Sequence, residues 1–410
     1  MRMKQKVYFF IFLIYAIVAI FFLRKDIGLE YEWALIMDDF SKYGYNNYKL
    51  FGMPTAYMPP FYPYFLLFCN ELLGKYWLHV VCVIQALSVF FSLYTMFKRL
   101  FGEKIYSAIV ILGFCSVLFF PPLLIGVFKI SSFAFSLSIM LMFFTISNKI
   151  YEHPYVSKKE FAYLLLILII GMYLRYEFVL IIILSVLIFY FQRKVSFKKV
   201  ILSLMLLFLI YSPWCIRNYI QIGKFTYSTS FNFNFAKGYN EKYDTDIIFN
   251  NPYSPELKKT LTNQTLSEMF ANEKDMDQYL KELNYNFIKN NPSLFIELTV
   301  KKFCINLTQY FPGYEGINKF KLCFAYSFYM VIFQALLIFS IWKRFRSDKK
   351  DFLLYGTLGW YMFFLFFYVI APLPRYLLLF YPIFVAVILC SFYDNIQKKL
   401  KNRYKQKITS

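Results

Sequence analysis

Long apolar runs constrain this chain more than any other feature of its sequence. Of its 410 residues, 59% are hydrophobic, and runs of 17 to 25 apolar residues recur between short polar gaps. At about 1.5 Å per residue, each run is long enough for a helix to cross a hydrocarbon core of about 30 Å. The sequence therefore predicts an all-α polytopic membrane protein.

Hydropathy predicts about ten transmembrane helices along the chain. They span residues 7–24, 77–98, 104–121, 129–147, 161–173, 176–192, 200–216, 322–342, 352–370 and 376–393. What remains is too short for a separate soluble catalytic domain. We therefore expect one membrane domain over residues 1–410, with juxtamembrane helices in its first external loop.

The formal charge of +21 reports topology rather than a nucleic-acid partner. Nucleic-acid binding would need one basic face interleaved with exposed aromatic residues. Here the basic residues occupy every second gap, as the positive-inside rule expects of cytoplasmic loops. This pattern places both termini in the cytoplasm and the alternate gaps outside.

Two long segments are predicted to lie on the external side. The first external segment comprises residues 25–76, and the second comprises residues 217–321. Within the second, residues 254–310 read as amphipathic helices on the membrane surface, and one face carries Leu280, Leu283, Phe287 and Ile288. Asn291 is expected to cap a new helix that begins at Pro292.

The chain has few residues suited to metal or nucleophilic chemistry. Its seven cysteines show no CxxC spacing, and His79 and His153 are its only histidines. These counts exclude an all-histidine metal site and leave almost nothing for a histidine-based triad. The chemistry must therefore rest on carboxylates. No cofactor motif is present, although two adjacent aspartates would permit a divalent cation.

Asp38 and Asp39 are those adjacent carboxylates in the first external segment. A carboxylate at the membrane surface can take a proton from an attacking hydroxyl or amine, and so act as a general base. The alternative is helix capping at the start of the pattern FSKYGYNNYKLF, since caps are far commoner than bases. Spacing alone favours the cap.

Three arginines lie at predicted outer helix ends: Arg175, Arg217 and Arg375. Together they would suit a phosphate, which arginine binds in a bidentate manner. Arg175 interrupts two short apolar runs, and intramembrane arginines usually line a polar cavity. The alternatives are local pairing of Arg175 with Glu177, or isolated anchors at the membrane interface. His79 and the stretch from Tyr57 to Tyr64 are weaker candidates, because aromatic belts explain most such residues.

Taken in order, these features resemble the GT-C superfamily of polyprenyl-phosphate-sugar-dependent glycosyltransferases, in its protein-mannosyltransferase-like and aminoarabinose-transferase-like branch. The first external segment looks like that family's catalytic loop: an aspartate, then Tyr43, Gly52 and YMPPFYPYFL. GMYLRYEF looks like the family's arginine between two short helices, with Tyr176 where proline is usual. The stretch SPWCIRNYIQIGKF matches the family's PW-x-x-RN-x-x-x-x-G-x-F block at Pro213, Trp214, Arg217, Asn218, Gly223 and Phe225.

The resemblance implies an inverting glycosyltransferase of the bacterial plasma membrane, with its active site outside. The donor would be a polyprenyl-phosphate sugar whose tail lies among the membrane lipids, and the acceptor a lipid, a glycan or a protein. Asp39 or Asp38 would activate the acceptor, while Arg175, Arg217 and Arg375 would bind the donor phosphate. Further contacts to donor or acceptor would come from Tyr43, Tyr57, Tyr62 and His79.

Two other functions stay open. A transporter or flippase of lipid-linked glycans would also need many helices and phosphate-binding residues. Its site would lie near the midplane between repeats, whereas here the polar residues are external and no repeat is found. A catalytically inactive assembly subunit would tolerate Asn at both Asp38 and Asp39.

Overall fold

The computed structural model of the protein describes residues 3–23, 29, 31–44, 48–50, 52–152, 157–239, 270–309, 317–347, 351–370 and 374–409. In chain order, the helices of the first half are α1 (Met3–Leu23), α2 (Tyr31–Tyr43), α3 (Phe61–Leu73), α4 (Trp77–Phe101), α5 (Ala108–Leu118), α6 (Pro121–Phe128), α7 (Phe133–Glu152) and α8 (Lys158–Leu174). They continue with α9 (Glu177–Phe191), α10 (Phe197–Ile222), α11 (Ser230–Gly238), α12 (Glu273–Asn290), α13 (Pro292–Thr308), α14 (Ile317–Arg346), α15 (Phe352–Phe367) and α16 (Pro374–Thr409). A short antiparallel hairpin lies in the first external segment, and each of its strands, β1 (Lys49–Leu50) and β2 (Met53–Pro54), has two residues.

The predicted all-α membrane architecture is confirmed. In the described part of the chain, five helices are long and apolar enough to cross a membrane, or six if the bent pair α5–α6 forms one span. The stretch from Phe61 to Tyr106, which contains α3 and α4, is one of the five. Apolar helices of 10 to 17 residues lie at Lys6–Phe21, Glu177–Phe191 and Phe352–Phe367. The number of about ten spans therefore stays a prediction.

The chain bends at Pro121, in the outer gap between the predicted helices 104–121 and 129–147. The predicted helix 104–121 is helical as α5, but the two prolines open α6, which is inclined to α5 by 51°. Proline is favoured in the first turn of a helix, since the N–H that it lacks would have no intrahelical partner there. The prolines therefore start a helix instead of forming a simple loop.

The core lies where α7 packs between α4, α8, α15 and α16. Trp360 of α15 is fully buried there, stacks on Phe143 and meets Phe144 edge to face. Offset and edge-to-face contacts between aromatic rings add stabilisation beyond the burial of their area. The high aromatic content of the sequence thus goes partly into this core.

The basic gaps predicted to be cytoplasmic meet at one end of the bundle, here called the inner end. Arg99 in the last turn of α4 pairs with Glu152 at the end of α7, and Lys149 pairs with Glu160 in the first turn of α8. The Tyr8 hydroxyl of α1 donates to the Ile105 carbonyl, 2.8 Å away. Alternating helix directions therefore agree with the predicted topology, while the compartment that each end faces stays a prediction.

The opposite, outer end carries the first external segment and α11, α12 and α13. In α12 the predicted apolar face is confirmed for Leu280 and Phe287, which are buried, whereas Ile288 is exposed. A helix does begin at Pro292, but Asn291 stands at its start without a capping side-chain hydrogen bond. The predicted helical region 254–269 lies outside the described residues.

Candidate active site

The two adjacent aspartates lie inside α2, so the capping interpretation was wrong. Helix α2 begins at Tyr31, seven residues before Asp38, and ends where Gly44 takes a φ of +83°. A cap would have to precede the first helical turn. The buried stripe Trp33, Ile36, Met37 and Phe40 has helical spacing, and this pattern could have located α2 from the sequence.

The two carboxylates have opposite environments. Asp38 is exposed and forms a 2.6 Å ion pair with Lys42 one turn along α2. Asp39 is 8% exposed and accepts a hydrogen bond from the Gly52 N–H at 3.4 Å. Burial raises the pKa of the Asp39 carboxyl above its usual value, despite this hydrogen bond. Asp39 is therefore the buried carboxylate, held by the hairpin, whereas Asp38 lies at the surface.

Gly52 forms the turn of the hairpin β1–β2, with a φ of +75° that favours glycine. Tyr48, at the base of the hairpin, is fully buried, and its ring lies edge-on to Phe40 and Trp214. Its hydroxyl donates to the Met58 carbonyl at 3.0 Å. The hairpin is thus fixed between α2 and α10.

Arg217 binds the base of this hairpin from α10. Its guanidinium donates to the carbonyl oxygens of Thr55 at 2.7 Å and Tyr48 at 2.9 Å. It also lies over the rings of Tyr48 and Trp214, at 5.4 and 5.0 Å from the ring centroids. Among the described residues no carboxylate lies within ion-pair distance of Arg217, so its positive charge is not neutralised by direct contact.

The residues around Arg217 explain the sequence block that contains it. The Trp214 indole donates to the Tyr227 carbonyl at 3.1 Å, and the Asn218 amide donates to the Thr226 carbonyl at 2.7 Å. Gly223 ends α10 in the left-handed region, with a φ of +77°. This turn brings the next loop back onto the helix, where Trp214 and Asn218 hold it.

Four groups from distant parts of the chain meet at the dipeptide Thr55–Ala56, here called the junction. Besides Arg217, the Tyr176 hydroxyl donates to the Ala56 carbonyl at 2.5 Å. Glu273 accepts from the Ala56 N–H at 3.1 and 3.2 Å, and Thr229 donates to Glu273. Burial raises the pKa of Glu273 to about 7.

Sequence reasoning missed Glu273. It follows Asn272, whose side chain caps α12, so it stands in the first turn of a helix. Acidic residues are common there because they face the positive end of the helix dipole. No local signal distinguishes a buried glutamate from an ordinary one at this position.

Arg175 lies at the predicted break, between α8 and α9, in extended conformation. It forms two hydrogen bonds with Glu177, at 2.8 and 3.3 Å, so the predicted local pairing is present. Both residues also line a small cavity, whose other walls are mostly apolar side chains such as Met140, Phe178 and Leu379. The local pairing is therefore present, whereas the polar cavity expected around Arg175 is not found in the described part of the chain, because most of the side chains that line this cavity are apolar.

Arg375 and Arg175 converge on one aromatic ring. Their guanidinium carbons lie 5.5 and 5.6 Å from the Tyr376 centroid, and Tyr376 stacks on Tyr368 at 4.1 Å. The structure therefore brings two of the three arginines to one place. Arg217 joins them indirectly, through Tyr176 and the junction.

The weaker candidates have diverse surroundings. Tyr62 is fully buried, and its hydroxyl donates to Gln85 at 2.7 Å. Tyr57 packs edge-on against Phe233, while Tyr43 is exposed with the Lys49 ammonium 4.0 Å from its ring centroid. His79 is exposed in the first turn of α4. Of these residues, Tyr57 lies nearest in sequence to the junction.

A divalent cation does not fit the aspartate pair. Asp38 faces solvent with Lys42, whereas Asp39 faces Gly52, so the two carboxylates do not converge. Within the described ranges, no group of three His, Cys, Asp or Glu side chains is close enough to hold a metal ion.

Comparisons with known proteins add one similarity. No family model matches the chain, and no curated protein matches it. Among solved structures, the chain is similar to the crystal structure of ArnT from Cupriavidus metallidurans bound to undecaprenyl phosphate. The identity is 11%, the TM-score is 0.42, and the match covers 92% of this chain and 77% of that one.

Proposed function

We propose that the chain is a membrane glycosyltransferase that moves a sugar from a polyprenyl-phosphate carrier to an acceptor on the non-cytoplasmic face. One observation carries the proposal: a carboxylate and a guanidinium from distant segments bind the same hairpin. Asp39 holds its turn at Gly52, and Arg217 holds its base. This joins a base and a phosphate-binding cation at the outer end of an apolar bundle, where a lipid-linked donor would meet them.

Asp39 is the general base in this proposal. The acceptor oxygen or nitrogen attacks the anomeric carbon, the bond from that carbon to the phosphate oxygen breaks, and Asp39 takes the acceptor's proton. Burial raises the pKa of Asp39, which makes its carboxylate a stronger base. Asp38 is less suited, because its carboxylate is paired with Lys42. A single displacement of this kind inverts the anomeric centre.

The arginines stabilise the departing lipid phosphate. Arg217 has no carboxylate within ion-pair distance among the described residues, and Arg375 is exposed beside Tyr376 at the start of α16. Arg175 shares its charge with Glu177, so its contribution is weaker. Charge that develops on the phosphate oxygen as the bond breaks is stabilised by cations already in place. The lipid tail would lie along the exposed apolar helices.

The test is sugar transfer in membrane vesicles supplied with radiolabelled polyprenyl-phosphate sugars. Asp39→Asn should lower the rate by about 10²- to 10⁴-fold, the range for loss of a general base. Asp38→Asn is the matched control and should keep most of the activity, because the Asp38 carboxylate is exposed and pairs with Lys42. Transfer that is indifferent to both changes, or donor translocation without transfer, would contradict the proposal.

A further inference from the structure

Glu273 is a buried carboxyl that joins the second external segment to the first. It is 2% exposed, and its two oxygens accept from the Ala56 N–H at 3.2 and 3.1 Å. The hydroxyls of Thr229 and Thr55 are further hydrogen-bond partners. Its partners come from the start of α11 and from the junction, so one side chain holds two segments that are far apart in sequence.

Glu273 has charged and titratable neighbours but forms no ion pair with any residue that the structure describes. Arg217 of α10, Tyr48 of the first external segment and Tyr176 before α9 are near enough to interact with it electrostatically. One turn along α12, the buried Asp277 takes the nearby cation, since Lys224 pairs with it and Asn232 donates to it at 2.9 Å. Within the described residues, no ion pair reaches Glu273.

We propose that Glu273 is a positioning residue that locks the first external segment onto the outer end of α10, and that the lock is tightest when this carboxyl carries its proton. As a residue for sugar transfer, it rests on the proposed function. It acts through the junction, because Arg217 and Tyr176 bind the same dipeptide. A neutral carboxyl can donate one hydrogen bond and accept others, which suits a site with two hydroxyls and one N–H.

The direction of the pH dependence follows from burial. We call the state closed when Glu273 is buried against Ala56, and open when the first external segment has moved away from it. Desolvation raises the pKa of Glu273 from 4.5 to about 7 in the closed state, and exposure in the open state would return this pKa towards 4.5. A proton is therefore held more tightly in the closed state, so acid favours closing and a rise in pH through about 7 favours opening. Between pH 6 and pH 8, these two pKa values change the ratio of closed to open states by about tenfold.

Hydrogen–deuterium exchange of residues 48–58 in lipid nanodiscs measures this lock without any substrate. In the wild type, protection should fall about tenfold from pH 6 to pH 8 after correction for intrinsic exchange. Glu273→Gln, a neutral side chain of the same shape, should keep the protection at both values. Glu273→Ala should lose it at both. Glu282→Gln is the matched control, since Glu282 is exposed on the same helix, and should behave as the wild type.

A fall in protection that persists in Glu273→Gln would overturn the inference, and so would equal protection in the wild type at both pH values. Glu273→Gln keeps the inference testable if the alanine variant does not fold. In the transfer assay, Glu273→Ala should raise the KM for the donor at least tenfold at pH 6, and Glu273→Gln should restore it. If the wild type transfers no sugar but shows the pH-dependent protection, the proposed function fails while the lock stands.

Discussion

Asp39 and Arg217 bind opposite ends of one hairpin. Asp39 accepts from the Gly52 N–H at its turn, and Arg217 donates to the Tyr48 and Thr55 carbonyls at its base. The Thr55 N–H also donates to the Tyr48 carbonyl at 3.1 Å, which closes the hairpin at its base. The position of the candidate base is thus tied to the position of a candidate phosphate-binding residue, and strain in the hairpin should alter both.

Gly52→Ala should reduce the rate of sugar transfer although it lowers the free energy of unfolding only modestly. Nothing lies within 4 Å of the new Cβ, so its cost is the backbone strain of a φ of +75°, about 1–2 kcal/mol. That strain would shift the N–H that Asp39 accepts. Gly102→Ala is the control, because Gly102 also has a positive φ of +53° and open space, but lies at the inner end. The midpoint of thermal unfolding should fall in both variants, and by more in Gly102→Ala because its ψ of −130° lies outside the left-handed helical region, while transfer should fall only in Gly52→Ala; equal transfer in the two variants would separate the hairpin from activity.

Arg175→Ala should destabilise the protein more than the double change Arg175→Ala with Glu177→Gln. The single change leaves the Glu177 carboxylate without its 2.8 Å partner, and each side chain is 20% exposed. Loss of one partner from such a pair costs about 2–3 kcal/mol, less than for a fully buried pair. Thermal unfolding of both variants measures the difference. A double variant that is less stable than the single one would contradict the prediction, because the Glu177 carboxylate would then stabilise the fold through partners other than Arg175.

Lys302→Met should remove a pH dependence of stability. Lys302 is fully buried in α13, where it donates to the Gly238 carbonyl and lies 3.6 Å from the Tyr239 centroid. Burial lowers the pKa of Lys302 well below its usual range. The unfolded chain therefore binds the proton more tightly, so wild-type stability should rise with pH up to the usual lysine pKa of about 10.4.

Unfolding midpoints at pH 7 and pH 9 test this expectation for Lys302. Lys301→Met is the control, because Lys301 is half exposed and pairs with Glu297 one turn away on the same helix. The control should keep the wild-type difference between the two midpoints, and Lys302→Met should show a smaller one. A difference of the same size in all three proteins would place its origin elsewhere in the chain.

The membrane class, the position of most helices and the break at Arg175 could all be predicted from the amino-acid sequence. These features follow from apolar runs and from the cost of charge in a bilayer, which act over one helix at a time. The basic gaps also predicted which helix ends come together, and the pairs Arg99–Glu152 and Lys149–Glu160 agree with that prediction. Whether a segment lies in a membrane can thus be predicted from residues that are neighbours in the sequence.

Which polar groups lie together follows from the packing of the helices and could not be predicted from the sequence. That packing distinguished Asp39 from Asp38, because the first faces the hairpin and the second faces solvent. It also placed Glu273 against Ala56, a contact between residues that are far apart in the sequence. Hydrogen bonds and desolvation depend on the partner that folding supplies, and local sequence patterns carry little information about a partner on another helix.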